Sequence, residues 1–178
     1  MASRDPKQKK RWVILEEYAK AECWTRLAEI GVHKGTTFGW LLRTCPDLTV
    51  IGVDIWDEYF NWGAKRERTV PEAEALENYR RVLGVAKPYG ARAIILKGRS
   101  TDPKILAQVS DGSLDCVFID ANHTYEDVYA EIMAWRPKIR AGGMLSGHDA
   151  RIAGVRKAID ALAPGWKQMD NDVWAVRV

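Results

Sequence analysis

The stretch "LAEIGVHKGTTFGWLLR", Leu27 to Arg43, starts as a short apolar strand, breaks at two glycines and resumes with helical spacing. The pattern predicts a strand over Thr25–Ile30 and a helix over Thr36–Arg43. Gly31 permits a tight turn after the strand, and Gly35 lets the helix start close to the sheet. A strand–turn–helix unit of this kind is typical of folds that hold a ligand against the turn.

The same alternation of strands and helices continues to the C-terminus. Further strands are predicted over 48–54, 91–98, 114–120 and 142–149, and helices over 11–23, 71–85, 102–109, 124–139 and 151–162. The tail "WKQMDNDVWAVRV" breaks at "DND", which predicts an antiparallel hairpin. Strands that alternate with helices imply βαβ units and a mostly parallel sheet. We therefore predict one α/β domain over residues 1–178, in which residues 1–23 form a basic segment and a helix.

Acidic residues close three of the predicted strands. Asp54, Asp120 and Asp149 each stand at a strand end. Ligands of parallel α/β sheets bind beyond the carboxyl ends of the strands, where the strand order reverses. The three carboxylates are therefore predicted to line one crevice.

The first turn indicates which ligand the crevice holds. A dinucleotide site favours G-x-G-x-x-G, whose middle glycine lets the backbone approach a pyrophosphate. His33 occupies that middle position, where its side chain would crowd two phosphates. Asp54 can accept hydrogen bonds from both ribose hydroxyls, and Thr36 or Thr37 could cap the helix. The pattern favours a nucleoside cofactor without phosphates, although the glycines could only shape a turn and Asp54 could only act as a cap.

Five motifs in succession resemble a known family. They are "AEIGVHKGTT", "VIGVDIWD", "LKGRST", "DCVFIDANHTYEDV" and "AGGMLSGHD". In order and spacing they resemble class I S-adenosylmethionine-dependent methyltransferases, and most of all small O-methyltransferases of the catechol type and a bacterial group with an "FIDxxHxYexv…GGxxxgHD" signature. The resemblance runs from about Trp24 to the C-terminus. It implies a Rossmann-like, seven-stranded sheet with an antiparallel last strand and helices on both faces.

The resemblance also implies roles for individual positions. The residues at the cofactor-binding positions are Glu29, Gly31, Gly35, Thr37, Asp54, Ile55, Ser100 and Asp120. Glu29 would position the methionine part of S-adenosylmethionine, with Thr37 near its carboxylate. Asp54 would bind the ribose, while Ile55 would pack on the adenine face and Ser100 would contact the adenine edge.

In catechol-type enzymes the acids of the fourth and fifth strands hold Mg²⁺, which lowers the pKa of the acceptor hydroxyl. Asp120 and Asp149 take those places here, but the amide that follows in the family is replaced by Ala150. Asn122 or His148 could substitute, so the metal stays an open prediction. Because His148 directly precedes Asp149 on a predicted strand, one of these two side chains is expected to point away from the crevice.

His123 is the second candidate for catalysis beside Asp120. It stands where catechol-type enzymes carry a lysine base. An imidazole, with a pKa near ~6.5, suits proton removal at neutral pH. The alternative is that His123 only caps the helix that begins at Thr124.

The segment "IWDEYFNWGAKRERTVPEAEALENYRR" is long, aromatic and charged, as lids and binding loops often are. The side chains in it that could contact an acceptor are Trp56, Tyr59, Phe60, Trp62, Lys65, Arg66 and Arg68. The aromatic rings could stack on a flat acceptor and the cations could meet an acidic one. Alternatively, the rings pack on the sheet edge and the charges face water.

Composition narrows the class of protein further. With a net charge of +3 and a pI of about 8.7 the chain is only mildly basic. Three scattered cysteines (Cys23, Cys45 and Cys116) support neither a disulfide framework nor a zinc site. No apolar run approaches the roughly 20 residues that span a bilayer, and the N-terminus lacks the apolar segment of a secretory signal. We therefore expect a cytoplasmic protein without membrane contact.

Together these patterns predict an S-adenosylmethionine-dependent methyltransferase that acts on an oxygen of a small-molecule or sugar-like acceptor. Two alternatives stay open: a nucleotide-dependent oxidoreductase on the same fold, and a non-catalytic module that binds a cofactor or RNA. Nucleic acid is not the favoured partner, since "KQKKRW" is typical of a solvated terminus. Helix 11–23 could cover the cofactor or form a contact in a homodimer.

Overall fold

A twisted sheet runs through the middle of the computed structural model, which describes residues 9–61 and 68–178. The strands are β1 Arg26–Ile30, β2 Thr49–Asp54, β3 Tyr59–Asn61, β4 Arg68–Val70, β5 Ala93–Lys97, β6 Leu114–Ile119, β7 Ile139–Gly147, β8 Lys167–Gln168 and β9 Trp174–Arg177. The helices are α1 Arg11–Ala21, α2 Thr36–Thr44, α3 Glu72–Ala86, α4 Pro103–Leu106, α5 Tyr125–Trp135 and α6 Ala153–Leu162.

Seven strands form the central sheet in the order β5-β2-β1-β6-β7-β9-β8. The strands from β5 to β7 pair in parallel, and β9 is antiparallel to both of its neighbours. The strand order reverses between β1 and β6, which is where a ligand crevice is expected. The predicted Rossmann-like α/β class, with its antiparallel last strand, is confirmed.

Helices cover both faces of the sheet because successive residues of each buried strand point to opposite sides. On one face Ala28 and Val117 pack with side chains of α5 and α6, such as Trp135. On the other face Leu27 and Phe118 pack with side chains of α1, α2 and α3. These strands are apolar on both sides because neither face of the sheet is left to water.

Several boundaries differ from the sequence prediction; the helix predicted over 102–109, for example, ends at Leu106. Two of the differences have clear local causes. The helix predicted over 124–139 ends at Trp135 because Pro137 has no N–H and its ring would clash with the carbonyl one turn earlier. The following strand begins at Ile139 rather than at 142, and its pairing with β6 shifts register between Leu114 and Cys116. Gly143 makes this irregularity possible, since a Cβ there would come within 2.8 Å of the Asp115 carbonyl oxygen.

The polar connection after β2 contains a two-stranded antiparallel hairpin, β3–β4, which the sequence did not predict. Trp62, Lys65 and Arg66 lie outside the described residues. In the described part of the chain no helix is long and apolar enough to cross a membrane.

Candidate active site

A cleft of about 760 Å³ opens at the carboxyl ends of β1, β2, β5, β6 and β7. Most of the residues predicted for the site share this cleft. They are Glu29, Gly31, Thr37, Asp54, Ile55, Ser100, Asp120, His123 and Asp149. Asp54, Asp120 and Asp149 meet there because parallel strands end at the same edge of the sheet.

Gly31 brings the turn after β1 against the chain that leaves β6. Its φ is +90°, and a Cβ at this position would lie 2.3 Å from the carbonyl oxygen of Asp120. A side chain would therefore force apart the turn that follows β1 and the chain segment that carries Asp120.

Gly35 is not part of the cleft wall described by the structure. It is the N-cap of α2, with a φ of +75°, and its Cα faces Val82 of α3. The predicted capping by Thr36 or Thr37 is wrong, because the helix already includes both residues. Thr37 is buried and lines the cleft instead.

Asp54 is held in place by the backbone around it. Its Oδ2 accepts a hydrogen bond from the His33 N–H at 2.7 Å, and its Oδ1 accepts one from the Trp56 N–H at 3.0 Å. Each carboxylate oxygen keeps a further lone pair with which it can accept a hydrogen bond. The carboxylate is thus preorganised at the end of β2.

Trp56 does not stack in the cleft. It is 1% exposed, packs on Tyr79 and donates its Nε1–H to the His33 carbonyl oxygen at 3.0 Å. Of the two alternatives for this ring, packing against the protein is the one observed. Tyr59 and Thr69 of the β3–β4 hairpin do line the cleft.

Glu29 is buried at the floor of the cleft with its Oε2 lacking a hydrogen-bond partner among the described residues. Burial, and then the neighbouring charge of Asp120, raise the pKa of Glu29 well above its usual 4.5. An unpaired buried oxygen of this kind costs free energy unless a ligand pairs with it.

Arg11 reaches the cleft from the first turn of α1, which sequence reasoning did not single out as a source of a site residue. Its Nε lies 3.1 Å from Asp120 Oδ2 and 3.4 Å from Thr37 Oγ1. The N-terminal helix therefore contributes a side chain to the cleft wall. No local signal marks Arg11, because its partners come from distant parts of the sequence.

Asp149 lies between two histidines. Its Oδ2 is 2.9 Å from His123 Nε2 and 3.1 Å from His148 Nδ1. Burial opposes ionisation of Asp149, but the hydrogen bonds from His123 and His148 outweigh it and lower the pKa. Burial also opposes protonation of His148, yet Asp149 and Asp120 together raise the pKa of that imidazole above 6.5.

Of these two neighbours, Asp149 lines the main cleft and His148 does not, as expected, but strand alternation is not the reason. β7 ends at Gly147, and Asp149 adopts a left-handed φ of +59°, so the strand alternation no longer applies. His148 lies behind the main cleft, with its Nδ1 3.7 Å from Asp120 Oδ1.

His123 does not cap α5. The cap is Thr124, whose Oγ1 accepts a hydrogen bond from the Asp127 N–H at 3.1 Å. Asn122 donates its amide to Asp127 Oδ2 and accepts the His123 N–H with its Oδ1. His123 is thereby left to face Asp149.

Three of these side chains could hold a metal ion. Ligand atoms of Asp120, His123 and Asp149 all lie within 4.8 Å of one another. Two carboxylates and an imidazole suit a divalent ion, and the buried Ala150 offers no side-chain donor. Among the described residues, the third potential ligand atom of this group belongs to His123, not to Asn122 or His148.

The sheet order, the glycine turn and the acidic cleft define a Rossmann-like fold with a nucleoside-type cofactor site. Residues 28–150 match a family described as a methyltransferase domain, and the chain belongs to this family. The matched part of the chain is thus a methyltransferase domain, built on a Rossmann-like sheet. Membership in a methyltransferase family disfavours the oxidoreductase alternative.

Solved structures share this fold. An O-methyltransferase from Bacillus cereus, in complex with S-adenosylhomocysteine, superposes with a TM-score of 0.67 at 15% identity, covering 97% of this chain and 84% of that one. CalS11, a TDP-rhamnose 3′-O-methyltransferase of calicheamicin biosynthesis, gives a TM-score of 0.63 at 15% identity, covering 96% and 81%.

A sequence relative is an uncharacterised protein from Sinorhizobium fredii (strain NBRC 101917 / NGR234). It is 27% identical over 131 residues, which are 71% of this chain but 13% of that protein. The chain thus spans a small part of the length of this relative.

Proposed function

We propose that this chain transfers the methyl group of S-adenosylmethionine to a hydroxyl oxygen of a small-molecule or sugar-like acceptor. One observation carries the proposal: a single cleft is lined by a buried acid whose Oε2 has no partner among the described residues, by an acid oriented by two backbone N–H groups, and by a His–Asp pair. The sugar-like class is supported by the fold shared with a TDP-rhamnose 3′-O-methyltransferase.

The cofactor-binding residues divide the cleft into two ends. Glu29 Oε2, which has no hydrogen-bond partner in the described part of the chain, would accept a hydrogen bond from the ammonium group of the methionine part. Asp54 would accept the ribose hydroxyls with its remaining lone pairs, and Ser100 lies toward the adenine end, beyond β5. S-adenosylmethionine supplies an electrophilic methyl group on a sulfonium, and this group would point toward Asp120.

His123 would remove the proton from the acceptor hydroxyl as its oxygen takes the methyl group. The tautomer that donates Nε2–H to Asp149 has its basic nitrogen at Nδ1, so the carboxylate orients the ring and stabilises the imidazolium that forms. The lowered pKa of Asp149 keeps it ionised for this task. Asp120, beside Arg11, would help to fix the acceptor and cofactor in line.

A divalent ion such as Mg²⁺ would be held by Asp120 and Asp149, with His123 as a third donor. It would lower the pKa of a coordinated hydroxyl, which is the same task that the His123 base performs. Nε2 of His123 cannot bind a metal and donate a hydrogen bond to Asp149 at the same time. Removing metal ions with a chelator therefore distinguishes activation of the hydroxyl by a metal from proton removal by His123. Activity that is unchanged in EDTA would exclude a metal from the mechanism. Activity that is lost in EDTA and restored by added Mg²⁺ would show that the metal is required.

Calorimetry with S-adenosylhomocysteine tests the cofactor site. D54N should weaken binding about tenfold or more, because an amide cannot accept both ribose hydroxyls as a carboxylate does. D57N is the matched control, since Asp57 is an exposed acid on the same loop outside the cleft wall. No binding by the wild type, or equal losses in both variants, would contradict the proposal.

Turnover with labelled S-adenosylmethionine and a panel of hydroxyl acceptors tests the chemistry. H123A should lower turnover about a hundredfold or more while affinity for S-adenosylhomocysteine stays nearly intact. Loss of cofactor binding instead would make His123 structural. Binding without transfer to any acceptor would favour the non-catalytic alternative.

A further inference from the structure

Glu131 is a buried acid in the cleft wall that the proposed chemistry does not use. It projects from α5 and is 5% exposed. Its Oε1 accepts a hydrogen bond from Ser100 Oγ at 2.7 Å, whereas its Oε2 is buried without a partner in the described part of the chain. A buried carboxyl with an unpaired oxygen costs stability, so a ligand that pairs with it would explain its presence.

The position of Glu131 relates it to one end of the cleft. Ser100 follows β5, the strand next to β2, whose last residue is Asp54. The backbone of Ser100 is fixed from behind, since its carbonyl oxygen accepts the Nε1–H of Trp135 at 3.0 Å. A ribose held at Asp54 would direct its base toward this corner rather than toward Asp120.

The state of the carboxyl determines what it can recognise. Burial raises the pKa of Glu131 to about 8, so the group carries a proton at neutral pH. Because Ser100 donates to Oε1, the proton belongs on Oε2. The carboxyl then offers an acceptor and a donor side by side in one plane.

Adenine has the complementary pattern, an N6-amino donor beside a ring-nitrogen acceptor. We infer that Glu131, oriented by Ser100, pairs with this edge of the base and selects adenine in the cofactor. The inference rests on the proposed cofactor site. Hypoxanthine, which carries a carbonyl oxygen in place of the amino group, would set an acceptor against Oε1.

Calorimetry with S-adenosylhomocysteine and its deaminated analogue, S-inosylhomocysteine, tests this selection. The wild type should prefer the adenine form about tenfold or more. E131M, which has similar volume but no hydrogen-bonding pair, should lose that preference. E131Q, whose amide presents the same acceptor and donor, should retain it.

Two further variants complete the comparison. S100A should reduce the preference for adenine, because nothing then fixes which oxygen of Glu131 carries the proton. If E131M does not fold, the S100A protein still tests the role of Glu131. E126Q is the control, because Glu126 is an exposed acid on the same helix and should leave the preference unchanged.

The outcomes separate this inference from the cofactor proposal. No binding of S-adenosylhomocysteine by the wild type would overturn the cofactor proposal itself. Three other results would overturn only the role of Glu131. The wild type could bind both ligands equally, E131M and S100A could keep the preference for adenine, or E131Q could bind both ligands equally.

Discussion

Four acidic side chains along the cleft have pKa values moved in opposite directions by their surroundings. Burial raises the pKa of Glu29, Asp120 and Glu131, although Arg11 and His148 partly offset this effect at Asp120. At Asp149 the two histidines outweigh burial and lower the pKa. The same residue type is thereby suited to separate tasks: Asp149 is an ionised partner for His123, whereas Glu131 can carry a proton.

The raised pKa of Glu131 should appear in the pH dependence of stability. Its folded-state pKa of about 8 lies above the usual 4.5, so the folded state holds the proton more tightly and the free energy of unfolding falls as pH rises between these values. Asp127 and Asp54 add to the shift, while Ser100 and His123 oppose it. Between about pH 5 and pH 8, urea unfolding should show that the free energy of unfolding falls less steeply in E131Q than in the wild type. The difference in slope should be on the order of 1 kcal/mol per pH unit. Equal pH slopes would contradict it, and E126Q should match the wild type.

Arg11 places its Nε 3.1 Å from Asp120 Oδ2, and it also contacts Thr37. We expect R11M to weaken binding of S-adenosylhomocysteine about tenfold, because the acids of the cleft lose a charge that balances them near the methionine end. K10M is the matched control, since Lys10 is the exposed neighbour of Arg11. Calorimetry would refute this role if both variants bind as the wild type does.

At the scale of elements, the site depends on how closely helices approach the loops that follow the strands. α6 begins against the turn that carries His123, because Gly154 has no side chain. A Cβ on Gly154 would lie 2.3 Å from the His123 carbonyl oxygen and 2.9 Å from the Tyr125 nitrogen. Backbone atoms cannot yield as a flexible side chain does, so this contact fixes the position of the turn.

G154A should therefore displace His123 and reduce both stability and turnover, with a loss of about 1–3 kcal/mol in the free energy of unfolding. G84A is the matched control: among the described residues nothing lies within 4 Å of a Cβ there, and the position is in the last turn of α3. It should gain about 0.5–1 kcal/mol from helix propensity and keep full turnover. Urea unfolding and initial rates measure both effects; a stable, fully active G154A protein would contradict the packing argument.

At the scale of the whole molecule, one buried acid joins three strands at the end of the sheet opposite the cleft. Asp115 Oδ2 accepts hydrogen bonds from the backbone N–H groups of Thr25 and Arg26 at 2.7 and 2.9 Å. Its Oδ1 accepts the Nε–H of Arg140 at 2.7 Å. Burial opposes ionisation, but these bonds outweigh it and lower the pKa of Asp115 below 3.8.

D115A should lower the free energy of unfolding by about 3 kcal/mol at neutral pH, because it leaves the backbone N–H groups of Thr25 and Arg26 unpaired and removes the ion pair with Arg140. The contribution of this acid is present above its unfolded pKa and is lost as pH falls through its lower folded-state value, so the mutant and the wild type should converge in acid. Affinity for S-adenosylhomocysteine should not change. D111A, which removes an exposed acid paired with Lys138, should have a much smaller effect; comparable losses in urea would contradict the special role of Asp115.

Much of the fold was predictable because its signals are local. Strands such as Thr49–Asp54 are continuous apolar runs, and "DND" marks the turn before the last strand. An error arose where a single residue overrode the periodicity, as Pro137 did at the end of α5, and the strand alternation did not extend to the left-handed Asp149 beyond β7. The β3–β4 hairpin carries no strong turn signal and was missed.

The sequence by itself determined the layered α/β sheet and the edge at which Asp54, Asp120 and Asp149 meet, because strand periodicity and the parallel pairing of strands follow from short segments. Only the tertiary structure decided that Arg11 faces Asp120, that Ser100 orients Glu131 and that Asp149 lies between two histidines. These contacts join elements that are far apart in the chain, and their formation depends on how the helices pack against the sheet, which no local pattern of residues specifies.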